Sequence, residues 1–173
     1  MTPAPRPQSR YRVAHLNPRQ PTSFDLAPDA EGRAAIASEL GLSALPALRF
    51  QGEIRPVRGD AWEVVAKLSA KVVQPCVVTL APVKTAIAED VHRLFSPHAV
   101  ASEADETEMG DDETEPLGAF IDIEALMIEE LSLALPLYPR AEGAELDAPE
   151  DIPAEETRKP FAGLADLLKN REN

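Results

Sequence analysis

AWEVVAKLSAKVV, residues 61–73, sets Trp62, Val64, Ala66, Leu68, Ala70 and Val72 on one side and Glu63, Lys67, Ser69 and Lys71 on the other. A period of two sends successive side chains to opposite faces of an extended chain, so the stretch is a half-buried strand. Just upstream, ALRFQGEIR (47–55) alternates Leu48, Phe50 and Ile54 with Arg49, Gln51, Glu53 and Arg55, which predicts a second strand. Downstream, Pro75 breaks or bulges the edge before CVVTL and leaves Cys76 at a strand junction. VKTAIAEDVHRLF (83–95) then spaces Val83, Ile87, Val91 and Phe95 four apart, which suits a strand face and a helix face alike. Pro82, placed to close a turn from the preceding strand, favours the strand and an antiparallel meander.

Helical signals flank this block. From Pro28, PDAEGRAAIASELGL offers Asp29 as an N-cap, Ile36 and Leu40 on one face, and Gly41 as a stop. LGAFIDI makes a short extended piece, after which IEALMIEELSLAL places Ile123, Met127 and Leu131 on one stripe with Leu126 and Ala134 beside it. Glu124, Glu129 and Glu130 fall on the outer face, and Pro136 ends the helix. Together these elements predict an α+β fold: an antiparallel, twisted β-sheet of about five or six strands, two or three short helices, and a disordered acidic loop and termini. The expected organisation is a flexible basic arm over 1–20, with a short strand at Tyr11–Ala14, and a single domain over 21–140 holding the acidic loop 103–115. A polar linker over 141–159 and a C-terminal amphipathic helix over 160–173 complete it. In that last segment Pro160 suits a first helical position, and Phe161, Leu164 and Leu168 lie at helical spacing. Two uses are open to it, as a cap on the core or as a tethered partner-binding helix.

The 173 residues are enough for one domain with a core of its own. Thirty acids against seventeen bases leave a net charge of −13. That charge is polarised: Arg6, Arg10, Arg12 and Arg19 make the first twenty residues purely basic, residues 21–102 are nearly neutral, and the acids concentrate beyond them. Such a layout favours a basic protein partner over bare phosphate, although blocks of like charge also serve as solvated tails. One cysteine rules out an internal disulfide and a CxxC metal pair, and a reducing cytoplasm fits. The longest stretch without a charged residue, Val72–Val83, contains two prolines and falls short of the roughly 18 residues of a membrane helix. No apolar signal-peptide core follows the start.

No arrangement for catalysis or for a metal or cofactor emerges. His15, His92 and His98 lack further ligands at metal spacing, and the acidic run lacks the register and flanking helices of a calcium loop. No GxSxG elbow and no glycine-rich phosphate cradle occurs. Cys76 has no local base, and Glu129 and Glu130, being adjacent, are splayed on a helix. An enzyme with a dispersed site stays as an alternative. Aromatic residues sit at apolar-face positions (Phe50, Trp62, Phe95, Phe120), which argues against a base-stacking RNA surface. Weak, non-specific RNA contact through Arg6, Arg10, Arg12 and Arg19 is a further alternative. The candidate partner-binding residues are these four arginines, Glu129, Glu130, Phe161, Leu164 and Leu168.

Several blocks taken together resemble the YceD (DUF177) family of large ribosomal RNA subunit accumulation proteins. They are FDL (Phe24 to Leu26), the strand block running into VVQPCVVTL, PVKTAIAEDVHRLF, FIDIEALMIEELSLALPLYP after the acidic insertion, and KPFAGLADLLKN. The likeness spans roughly residues 11–171. Relatives often carry a second cysteine soon after the position of Cys76, and some carry more beyond ALPLYP; here Val78, Thr79 and Leu80 follow Cys76 and no cysteine follows Pro139. A metal role in those branches is therefore not carried over. The resemblance implies a bacterial, cytoplasmic, non-enzymatic factor for synthesis, processing or stability of large-subunit (23S) ribosomal RNA. Its implied partner is a basic ribosomal protein or a large-subunit assembly intermediate, with no membrane association.

Overall fold

The computed structural model describes residues 9–99 and 114–145. In chain order these form β1 (Arg10–Arg12), a 3-10 turn (Val13–His15), β2 (Thr22–Leu26), α1 (Ala30–Glu39), β3 (Ala44–Val57) and β4 (Ala61–Pro75). There follow β5 (Pro82–Ser96), β6 (Thr114–Pro116), β7 (Phe120–Asp122) and α2 (Ile123–Ala134). A five-stranded sheet runs β2-β3-β4-β5-β6, and β1 pairs with β7 in a separate two-stranded ribbon.

The apolar side of β4 is buried throughout, from Trp62 to Val72. Its neighbours supply matching rows: Phe50 lies opposite Leu68, Ile54 opposite Val64, and Val91 opposite Ala66. Phe24 adds a tilted ring contact on Phe50, with centroids 5.5 Å apart. Ile36 and Ala37 of α1, with Leu126, Met127 and Leu131 of α2, join the same core. Removing each large side chain from water contributes about 1.5–3 kcal/mol, so this face is the main source of stability.

Residues 83–95 are a strand, as Pro82 suggested. Register with β4 runs unbroken from Trp62 opposite Phe95 to Pro75 opposite Pro82, and Ile87, Val91 and Phe95 are buried while Val83 is half-buried. Cys76 directly follows the end of β4, at the junction with the next strand, and CVVTL is the turn that joins the two. Pro75 and Pro82 bracket a hairpin turn in which the Cys76 amide donates to Ala81 O and the Leu80 amide to Cys76 O. Two prolines facing each other close the ladder, so CVVTL has no partner strand.

The sheet is antiparallel except at one edge, where β6 runs parallel to β5. A parallel neighbour needs a long return, which residues 97–113 supply. Glu115, counted in the acidic loop by its sequence, lies in β6; residues 103–113 of that loop are outside the described residues. The arm expected over 1–20 joins the body from residue 9: the Ile123 amide donates to Ser9 O, Arg10–Arg12 pairs with Phe120–Asp122, and Leu16 is buried. Residues 1–8, and 146–173 with most of the linker and the whole C-terminal segment, are outside the described residues.

Both helices are capped by an aspartate, α1 by the Asp29 that its sequence offers and α2 by Asp122. Asp29 Oδ1 accepts from the Gly32 amide at 2.8 Å, and Asp122 Oδ1 from the Ala125 amide at 3.1 Å. Helix α1 ends at Gly41 (φ 65°), where the Leu42 amide reaches back to Ala37 O in a Schellman closure.

Gly52 lies between Phe24 of β2 and Ala66 of β4, and a Cβ there would collide with Val65 O and lie 2.6 Å from Ala66 Cβ. Gly52→Ala is expected to cost about 1–3 kcal/mol through overpacking. Urea denaturation checks it; an unchanged midpoint contradicts the close approach of β3 and β4.

Candidate functional site

Arg93 is a charged residue on the covered face of β5, between Val91 and Phe95 at a period of two. Its side chain is 19% exposed and meets three carboxylates from two other elements. Nε donates to Glu130 Oε1 at 2.8 Å, while the terminal nitrogens reach Glu115 and Glu129 at 3.1 Å. The guanidinium thus fastens α2 and β6 to β5. Burial works against its charge, but the Glu130 hydrogen bond and the surrounding carboxylates outweigh that and raise its pKa. Glu115 is pushed above the usual carboxylate range, first by burial and then by the charges of Glu129 and Glu130, against the pull of Arg93.

The second feature is the Cys76 sulfur, which has no solvent exposure. The amides of Val78, Thr79 and Ala141 each donate to it at 3.4 Å. Its pKa is lowered to about 6, chiefly by the Thr79 hydroxyl, then by the Ala141 and Thr79 amides, with burial opposing. Four donors aimed at one sulfur favour the thiolate, and the Ala141 bond ties the β4–β5 turn to the loop after α2. A second tie joins the Val77 amide to Pro139 O at 2.9 Å. The enclosed sulfur holds a loop in place and is closed to an incoming electrophile.

The residues singled out from the sequence are dispersed. Glu129 and Glu130 come together, on Arg93. Arg10 lies 4.5 Å over the Phe120 ring and 3.8 Å from Asp122. Arg12 and Arg19 are exposed, and no ion pair involves either among the described residues. Arg6, Phe161, Leu164 and Leu168 lie outside the described residues. His15, His92 and His98 stand in three separate places, with His92 2.7 Å from Glu63 on the open face of the sheet. Among the described residues no group of three or more His, Cys, Asp or Glu side chains is arranged to hold a metal ion.

Sequence reasoning missed the Arg93 cluster and the bonds around Cys76. A signal for the first was present, because a charged residue at a core-face position of a strand needs a buried partner. None existed for the second, since the donors come from a turn and a distant loop.

A family model described as Large ribosomal RNA subunit accumulation protein YceD matches residues 64–168. The match takes in nearly all of β4, then β5 to β7, the Cys76 turn, the Arg93 cluster and α2; Phe24 to Leu26 in β2 precede it. No curated protein and no solved structure matches.

Two measurements check the site. Arg93→Ala leaves the half-buried Glu130 beside two further carboxylates without their cation, so a loss of about 3 kcal/mol is expected, the low end for a broken buried ion pair because these groups are only partly withdrawn from water. The loss should shrink as the pH falls and Glu115, held above the usual carboxylate range, takes up a proton; a loss independent of pH contradicts the electrostatic account. For Cys76, the folded pKa is depressed, so its contribution is full above the ordinary thiol range and disappears as the pH falls through about 6. The stability difference between the protein and Cys76→Ala should therefore grow from pH 6 towards 9. A flat difference contradicts thiolate stabilisation.

Proposed function

The chain belongs to the YceD family, and from that premise we propose that it supports synthesis, processing or stability of large-subunit (23S) ribosomal RNA. It does so as a non-enzymatic cytoplasmic factor, by binding a basic ribosomal protein or an assembly intermediate. The family match carries this reading: the matched model is named for accumulation of the large ribosomal RNA subunit and covers more than half the chain.

Charge supplies the physical support. A net −13, concentrated beyond residue 102, attracts a cationic partner over several ångströms and speeds its capture. The charged groups of the main site are already committed to one another, Arg93 to Glu115, Glu129 and Glu130. That arrangement suits a scaffold better than proton transfer. No helix among the described residues is long and apolar enough to cross a membrane.

A second reading has one observation in its favour. Arg12 and Arg19 are exposed cations without an ion pair among the described residues, and they leave a basic edge on an acidic protein. Direct contact with RNA phosphates through them calls for binding that falls steeply with salt.

Deleting the gene is expected to lower mature large-subunit RNA relative to small-subunit RNA, measured by quantitative hybridisation, with recovery on re-expression. Unchanged ratios contradict the proposal. Recovery by a variant carrying Arg12→Gln and Arg19→Gln counts against the RNA-contact reading alone.

A further inference from the structure

Large apolar side chains are exposed at six described positions, and five of them, Val77, Leu80, Leu133, Leu137 and Tyr138, belong to one end of the molecule. Val77 and Leu80 are in the β4–β5 turn, Leu137 and Tyr138 in the loop after α2, and Leu133 in the last turn of α2 itself. The turn and the loop are fastened together by the Val77–Pro139 and Ala141–Cys76 bonds and by Gln74 Nε2 donating to Pro136 O at 3.2 Å. Leu137 is 85% exposed, Leu80 and Tyr138 each 77%. Leu80 also holds a left-handed backbone, φ 61°, which a leucine adopts at a cost. A fold that spends backbone strain to put an apolar side chain into water has something to cover it, since monomeric surfaces rarely leave such patches bare.

We propose that the occupant is the chain's own segment PFAGLADLL, residues 160–168, seated through Phe161, Leu164 and Leu168 on the patch formed by Val77, Leu80, Leu133, Leu137 and Tyr138. Three observations favour it. The segment's apolar residues recur at the three- and four-residue spacing of a groove-bound helix. Residues 146–159 depart from the loop that carries Leu137 and Tyr138, and an extended stretch of that length reaches about 45–50 Å. The tether therefore starts beside the patch and spans it easily, which makes the encounter intramolecular and its effective concentration high. The family match begins in β4 and runs on to Leu168, so the patch and the segment share one matched unit from which β1 to β3 are absent. With Lys159, Asp166 and Lys169 as its only charged residues over 159–170, the segment adds no net negative charge to an acidic protein.

The test compares the full chain with two full-length variants, one carrying Phe161→Ser, Leu164→Ser and Leu168→Ser, the other Leu137→Ser and Tyr138→Ser. Circular dichroism confirms that both fold; their substituted positions are exposed or lie beyond Glu145. The first variant should bind the apolar dye anilinonaphthalene sulfonate several-fold more strongly than the parent. The second should be cut faster by trypsin after Lys169. Unchanged dye binding together with unchanged cleavage overturns the proposal. A parent that light scattering shows to be a dimer, reverting to a monomer in the first variant, also overturns it, by seating the segment on a second copy.

Discussion

Six side chains of β4, from Trp62 to Val72, point to one face of a long strand, and the other elements are placed by the need to keep that face from water. β3 and β5 flank it with Phe50, Ile54, Ile87, Val91 and Phe95, and the two helices lie across it with Ile36, Leu126, Met127 and Leu131. The hydrophobic term is non-directional and does not by itself fix where a covering helix stops. Arg93 supplies that direction. A guanidinium at the rim of the core, bonded to Glu130 and paired with Glu115 and Glu129, ties α2 and β6 to β5 at one place. Burial of the charge makes the arrangement intolerant of a missing partner.

How much of this was legible depends on whether the deciding interaction is local. The β4 face, the cap at Asp29, the stop at Gly41 and the stripe of Ile123, Met127 and Leu131 are set by residues within one or two turns of one another. β5 was ambiguous in period, and a single proline decided it through the hairpin. Three features were out of reach because their partners are far along the chain: the parallel edge of β5 and β6, the ribbon joining Arg10–Arg12 to Phe120–Asp122, and the Ala141 donor on Cys76. Of the candidate site residues that are described, Glu129 and Glu130 meet, on Arg93. Their adjacency, which is wrong for shared acid/base work, suits two carboxylates gripping one cation.

Function follows from what the fold leaves available. The structure commits its half-buried charges internally, and the sequence retains a large excess of negative charge, while most of the large apolar side chains exposed among the described residues gather at the end held by the Cys76 turn. Long-range attraction toward a cationic partner governs encounter and weakens as salt screens the charge. The family model that matches this chain is named for accumulation of the large ribosomal RNA subunit, which is the setting the proposed association addresses.

The most direct measurement is sedimentation of the tagged full-length protein in cell extracts on sucrose gradients, read at low and at high salt. The account requires the protein to travel with precursors of the large subunit at low salt and to return to the top of the gradient as salt screens its charge. A protein that stays at the top under both conditions contradicts the claim that it acts by associating with large-subunit components.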